Sequence, residues 1–239
     1  VLRGRLDSSV RCLTVATRKP ADFTASGIRV QADGTTFELK SPEGTFHARS
    51  PLVGQYNVSN ALAAIACGYA GGQSVREMLE RLETTPPVPG RLETVDEGQA
   101  FAVIVDYAHT PDALANVLKT VRELCQNRLI VVFGCGGDRD REKRPLMMRA
   151  ACEFGDEVWA TSDNPRGEDQ SGIFADMRQG GGEAVSVEFV EDRGEAIRRA
   201  IASADAGDVI VIAGKGHETF QIHKNTVVPF DDRSVARAA

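Results

Sequence analysis

Five nearly unbroken apolar runs in the second half of the chain constrain its fold more than any other feature. They begin near Phe101 (FAVIVDYA), Leu129 (LIVVFG), Glu157 (EVWATS), Val185 (VSVEFV) and Asp208 (DVIVIAG), about 28 residues apart, and helical patterns fill the gaps at 111–125, 142–154, 169–178 and 192–204. A strand with one wet face alternates apolar and polar residues; these do not, so both of their faces are covered. The pattern predicts βαβ units in an α/β fold with a doubly wound, mostly parallel sheet. Such sheets bind ligands at the carboxyl ends of their strands. The polar loops to read for function are therefore 106–110, 134–144, 162–168 and 214–218.

The first half has a different texture. Short apolar runs at 12–16, 28–31, 36–39 and 45–48 alternate with turn signals, notably Asp33-Gly34 and Glu43-Gly44, which predicts a β-meander. A helix follows, opened by Asn57 or Ser59 and closed at Gly71-Gly72. A second covers 74–82, with Ser74 and Glu77 spaced as a capping box. Residues 84–90 then hold three prolines and a glycine, the best candidate for a linker, giving domains 1–87 and 88–239. The chain opens without Met, and 10–17 already reads as a strand in progress, so the first domain is expected to be part of a larger one.

Composition narrows the function. Of 239 residues, 28 are Lys or Arg against 34 Asp or Glu, a formal net charge of -6 that leaves no footprint for nucleic acid or an anionic membrane. The longest nearly apolar stretch, 61–70, falls short of the roughly 20 residues of a membrane span, and no signal-peptide core opens the chain, so a cytosolic protein is expected. The five cysteines are scattered without a Cys-x-x-Cys pair, which predicts neither a disulfide framework nor a zinc site. His47 and His223 lack ligand-spaced partners and read as structural.

Each strand-end loop carries polar groups with two readings. In Gly134-Cys135-Gly136-Gly137-Asp138-Arg139 the glycines invite a dinucleotide site, but the third glycine of that fingerprint would fall at Arg139. Arg139 can offer a guanidinium to a carboxylate or phosphate; alternatively the loop is a tight turn whose charges form a solvated helix start. Ser162-Asp163-Asn164-Pro165-Arg166 presents amide and guanidinium groups in a frame stiffened by Pro165, suited to forked carboxylate recognition or serving only as a turn. Gly214-Lys215-Gly216-His217-Glu218 offers an anion site and, through Glu218, a partner for an ammonium; the full Walker pattern is absent from the chain. Asp106 and His109 can hold a ribose hydroxyl and a phosphate, or satisfy local backbone groups. Thr110 and Pro111 mark a helix start.

Taken in order, GQYNVSNALAAIA (54–66), GRLE (90–93), DYAHTPDAL (106–114), FGCGGDRDREKRPLM (133–147), SDNPRGED (162–169), GKGHE (214–218) and FDDR (230–233) resemble the Mur ligases. Within that family they are similar to the members that add meso-diaminopimelate to UDP-N-acetylmuramoyl-L-alanyl-D-glutamate during peptidoglycan precursor synthesis. The resemblance implies a C-terminal Rossmann-like domain preceded by part of the central ATP-binding domain. It implies an ATP- and Mg2+-dependent amide ligase that passes through an acyl phosphate, acting as a cytoplasmic monomer on small molecules, with neither nucleic acid nor membrane as partner. Carried over residue by residue, Asn60 lies near adenine, Arg91 near the phosphates, Asp106 on the ribose, and His109 and Thr110 at the junction of nucleotide and muramyl peptide. The amino-acid pocket is Arg139, Asp163, Asn164, Pro165, Arg166, Gly214 and Glu218, with catalytic roles for His109 and Lys215. No metal ligand is assigned.

Two departures stand out. The motif after Arg166 is usually closed by Glu-x-Pro, and Gln170 stands here at the proline's place. The family's Gly-Lys-Thr phosphate loop and carbamylated lysine would lie upstream of Val1, so the chain alone is expected to be inactive. Two rivals share some of these features: a folylpolyglutamate synthetase-like amide ligase, which the Asp163–Arg166 loop disfavours, and a non-catalytic module that binds amino acid or nucleotide.

Overall fold

In the computed structural model, which describes residues 7, 10, 12–31, 34–86, 88–182 and 184–239, the chain divides into two compact units, Val1–Pro87 and Val88–Ala239. In the first, β1 (Val15–Ala16), β2 (Phe23–Gln31), β3 (Gly34–Ser41) and β4 (Gly44–Ser50) form a four-stranded sheet, followed by helices α1 (Gln55–Ala70) and α2 (Val75–Glu83). Phe23, Phe37, Leu39, Leu62, Ile65 and Leu79 fill its core.

Three expectations for this unit need correction. Only β2, β3 and β4 make a meander, because β1 runs parallel to β2. Helix α1 starts earlier than Asn57: Gly54 is its N-cap, while Asn57 is buried and donates its Nδ2 to the Val53 carbonyl at 2.8 Å. At α2 the Ser74 side chain makes no capping bond; Glu43 Oε2 takes the Val75 N–H from the β3–β4 turn at 2.9 Å, a long-range cap that no local pattern records. Asp33 of the expected Asp33-Gly34 turn, Arg11 of the expected first strand and Pro87 of the linker lie outside the described residues.

The second unit holds a six-stranded sheet in the order β5–β6–β10–β7–β8–β9, from β5 (Glu93–Val95), β6 (Ala102–Asp106), β7 (Leu129–Cys135), β8 (Glu157–Ser162), β9 (Ser186–Phe189) and β10 (Val209–Ala213). All pairs are parallel except β5 with β6, an antiparallel edge the sequence did not announce. Between strands come α3 (Pro111–Arg122), α4 (Lys143–Phe154), α5 (Gln170–Arg178) and α6 (Arg193–Ala202). The chain steps from β6 through β7 and β8 to β9 in one direction, then returns to insert β10 between β6 and β7. Right-handed crossovers put helices on one face for the outward steps and on the other for the return. Accordingly α3, α4 and α5 pack in succession, while α6 packs on β7, β8 and β10 together with α7 (Asp232–Arg237). Every residue of β7 and β10 is buried, as double coverage demands; the run at 185–190 departs from the expectation, because β9 is an edge strand whose Ser186 and Glu188 are exposed in alternation with half-buried Val187 and Phe189.

After β10 the chain forms a two-stranded antiparallel hairpin, β11 (Phe220–His223) and β12 (Thr226–Pro229). Lys224 sits in the turn with φ of 53°. Among the described residues no helix is long and apolar enough to cross a membrane.

Candidate functional site

The carboxyl ends of β7, β8 and β10 are adjacent, so the loops that follow them meet. A shared anchor fixes two of those ends. Arg193, fully buried on α6, donates to both oxygens of Asp232 at 2.7 and 2.8 Å and to the carbonyls of Ser162 and Ala213 at 3.2 and 3.0 Å. These carbonyls belong to the last residues of β8 and β10, which flank β7. Coulombic attraction to Asp232, whose carboxylate is also fully buried, keeps Arg193 charged against the cost of desolvation.

Beyond that anchor, residues 163–166 and 215–222 interlock. Asn164 is buried; its Oδ1 accepts from the Ile222 N–H at 3.0 Å and from Lys215 Nζ at 3.2 Å, and its Nδ2 donates to Glu218 Oε2 at 3.2 Å. Gln221 Nε2 donates to the Asp163 carbonyl at 2.8 Å and to Ser162 Oγ at 3.1 Å. Arg166, at φ 51°, donates its N–H to the Ile222 carbonyl at 3.0 Å and accepts from the Lys224 N–H at 2.6 Å. The hairpin thus holds the loop after β8 by main-chain bonds. Lys215 is wholly buried, and its ammonium also reaches Glu218 Oε2 at 2.8 Å and Asp163 Oδ1 at 3.4 Å.

The glycine loop after β7 backs onto the same place. Gly137 donates to the Asn164 carbonyl at 2.9 Å, and a Cβ on it would collide with the Pro165 carbonyl. These glycines serve a loop-to-loop approach within the chain. Arg166 Nη1 donates to the carbonyls of Gly137 and Asn164 at 3.0 and 3.3 Å, and both guanidinium bonds it makes among the described residues use this one nitrogen, which leaves the rest of the fork available to a carboxylate. Arg139 is exposed and neighbours it: a Cβ on Gly136 would lie 2.9 Å from Arg166 Nη1 and 3.8 Å from Arg139 Cγ. The charges at 138–142 are exposed, as a solvated helix start would have them, and the exception is the last of the run. Arg144 is fully buried and donates to Glu168 at 2.7 and 2.9 Å, to Asp176 at 2.8 Å and to the Gly136 carbonyl at 3.2 Å. Hydrogen bonding to Arg144 holds the Glu168 carboxyl below the usual range. Asp138 closes the link, donating its N–H to Glu168 at 2.6 Å and accepting from the Gly167 N–H at 2.9 Å.

A second polar patch gathers on Tyr107 just after β6. The guanidinium of exposed Arg91 stacks 4.7 Å over its ring, and the rings of His109 and His217 lie 4.7 and 5.2 Å away. His109 Nδ1 is 3.0 Å from the Tyr107 carbonyl. A carbonyl only accepts, so the proton of neutral His109 sits on Nδ1 and Nε2 is free to accept. Asp106 is buried, and its two oxygens accept from the N–H groups of Leu92 and Ala108, each at 2.8 Å; burial pushes its carboxyl up while those bonds oppose the shift. One job of Asp106 is therefore local: it pins the segment that carries Arg91. Gly216, at φ 52°, backs so closely onto the Gly90 carbonyl and Tyr107 that no side chain fits.

The structure brings Arg139, Asp163, Asn164, Pro165, Arg166, Gly214, Lys215 and Glu218 into one neighbourhood and Arg91, Asp106 and His109 into another. Thr110 spends its hydroxyl on capping α3, accepting from the Ala113 N–H at 3.3 Å. Asn60 belongs to the first unit, exposed on α1 and donating to Asn57 Oδ1 at 3.2 Å. Sequence reasoning missed the roles of Tyr107, His217, Arg144, Arg193 and Gln221; the first three stood inside quoted motifs, and Arg193 and Gln221 in none. Burial pushes the Cys135 thiol up to about 12, which makes it inert.

Comparison with known proteins bears on this arrangement. The family model described as Mur ligase, glutamate ligase domain, matches residues 90–216, and that described as Mur ligase middle domain matches residues 2–68. A UDP-N-acetylmuramoyl-L-alanyl-D-glutamate--2,6-diaminopimelate ligase from Geobacillus kaustophilus (strain HTA426) is 52% identical over 232 residues, covering 95% of this chain and 47% of the relative. One of the same name from Listeria innocua serovar 6a is 46% identical over 238 residues, 100% of this chain and 48% of the relative. A solved structure of a ligase so named matches with a TM-score of 0.65 at 42% identity, over 95% of this chain and 47% of that one. The UDP-N-acetylmuramate-alanine ligase of Thermotoga maritima, at 24% identity and a TM-score of 0.68 over 95% of this chain and 46% of its own, shares the fold. The chain spans about half the length of the curated relatives it matches.

Proposed function

This chain belongs to the Mur ligase family, and from that premise we propose that it serves an ATP-dependent amide ligase that adds meso-diaminopimelate to UDP-N-acetylmuramoyl-L-alanyl-D-glutamate, with its second unit as the amino-acid-binding domain and its first as part of the ATP-binding one. The substrate carboxylate attacks the γ-phosphorus of ATP, ADP leaves, and an acyl phosphate forms. The amino group of the incoming amino acid then attacks the acyl carbon, phosphate leaves, and the nitrogen gives up a proton.

One observation carries the choice of amino acid: forked cations and an acidic pair share one strand-end neighbourhood. Arg166, with Arg139 beside it, suits the distal carboxylate of meso-diaminopimelate, and Glu218 with Asn164 suits its distal ammonium. Lysine lacks that carboxylate and leaves the arginines unanswered. On the other patch, Arg91, His109 and His217 around Tyr107 suit the nucleotide phosphates. Each Asp106 oxygen keeps a lone pair for a ribose hydroxyl beyond its backbone bond. Asn60 toward adenine and Thr110 toward the muramyl peptide rest on the family motif alone. Among the described residues no group of three or more His, Cys, Asp or Glu is placed to hold a metal ion.

Calorimetric titration of this chain with meso-diaminopimelate, L-lysine and L-glutamate tests the reading. Meso-diaminopimelate should bind at least about tenfold more tightly than either, a difference of about 1.4 kcal/mol. Arg166→Lys should lose most of that margin, because a point ammonium cannot replace the fork. Equal binding, a preference for lysine or glutamate, or no binding of meso-diaminopimelate overturns it.

A further inference from the structure

Two segments, the loop after β8 and the one after β10, meet at one buried ammonium. Lys215 is wholly buried, and its Nζ donates to Glu218 Oε2 at 2.8 Å, Asn164 Oδ1 at 3.2 Å and Asp163 Oδ1 at 3.4 Å, with the Phe220 ring centroid 5.7 Å away. Glu218 and Asn164 are the groups assigned above to the distal ammonium of the amino acid. The protein's own ammonium is already there.

We propose that Lys215 is a specificity-determining residue. Its resident ammonium neutralises half of the Asp163–Glu218 pair, so that a distal end bearing only an ammonium is refused and one bearing a carboxylate as well is accepted. This rests on the reading that the site takes meso-diaminopimelate. Two carboxylates and the Lys215 ammonium leave one negative charge, which Arg166, three residues after Asp163 in the same loop, balances; Arg139 beside it is exposed, and solvent screens its charge. A zwitterionic distal end adds no net charge to that balance. A lone ammonium adds an uncompensated positive charge beside Lys215, in surroundings where burial makes like charges costly. Without Lys215 the same cluster is one charge negative, and a lone ammonium is what it needs.

Removing the ammonium and removing one of its carboxylates should shift the preference in opposite directions. Calorimetry with meso-diaminopimelate and L-lysine reads the ratio of their affinities for the whole 239-residue chain. In Lys215→Met the ratio should fall at least about tenfold, with lysine binding more tightly than to the wild type. In Asp163→Asn, which deletes a negative charge while the ammonium keeps its nearer partners, the ratio should rise about threefold. Lys215→Arg should stay within about threefold of the wild type. A residue that only held the loops together would weaken both ligands alike and leave the ratio unmoved. Ratios that do not move, or that move in the same direction in both variants, overturn the proposal. Circular dichroism identifies a Lys215→Met protein that does not fold, in which case Asp163→Asn decides alone: no rise in the ratio refutes it. A wild-type chain with no preference for meso-diaminopimelate refutes the functional reading itself; a wild type with that preference and unmoved variants refutes only the role of Lys215.

Discussion

Gln170 opens α5 almost fully buried, 6% exposed, and neither its Nε2 nor its Oε1 finds a hydrogen-bond partner among the described residues. Each unmet buried group costs about 1–3 kcal/mol. The first position of a helix needs no N–H from its residue, which is why proline is favoured there, and Asp169 before it already has φ -76° and ψ 135°, as a residue preceding proline prefers. Gln170→Pro should therefore stabilise the second unit by about 1 kcal/mol and raise its melting temperature by about 2–4 °C. A lower temperature in thermal unfolding would show that the amide has a use the fold conceals. At this scale the sequence was legible where the cause is local. Thr110 and Pro111 start α3 by chemistry confined to one turn. Lys215 was legible as a cation in a loop, but its burial depends on oxygens 51 and 52 residues away, and no pattern within its own loop records them.

The elements that shape the site are held by an ion network between loops. Arg144 on α4 grips Glu168 before α5 and Asp176 within it, and Arg141 adds a second contact to Asp176. Glu168 is held below the usual carboxylate range chiefly by its bond to Arg144, and Asp176 chiefly by its bond to Arg141 with Arg144 contributing. A carboxylate whose pKa is depressed by folding stabilises the native state above its unfolded pKa, and that contribution fades as pH falls through the depressed value. Arg144→Met should cost about 3 kcal/mol near pH 7, and the gap to the wild type should narrow below about pH 4. Urea unfolding at pH 7 and pH 3 measures both; a gap that stays constant contradicts the ionic account. Helices α3 to α6 were legible from their helical patterns between the strand runs, whereas α7, six residues long, was not. The β11–β12 hairpin was not, because its Lys224-Asn225 turn lacks the glycine of a strong hairpin signal and its strands have only four residues each.

Across the whole chain, five apolar runs and their spacing were enough to foresee a mostly parallel sheet whose central strands are covered on both faces, but not that β9 would expose Ser186 and Glu188 or that β10 would be inserted between β6 and β7. That insertion places the loops after β7 and β10 side by side and makes the site, and it follows from crossover handedness and packing, which no single run encodes. The net charge of -6 concealed local cations in the same way: Arg91, Arg139 and Arg166 all lie in strand-end segments, where the local field outweighs the total. The central claim is that the neighbourhood of Arg166 and Glu218 is an amino-acid site selective for a zwitterionic distal end. A crystal structure of this chain with meso-diaminopimelate tests it most directly. The account predicts the distal carboxylate on the forks of Arg166 and Arg139 and the distal ammonium on Glu218; a ligand bound elsewhere, or an empty site at saturating concentration, would contradict it.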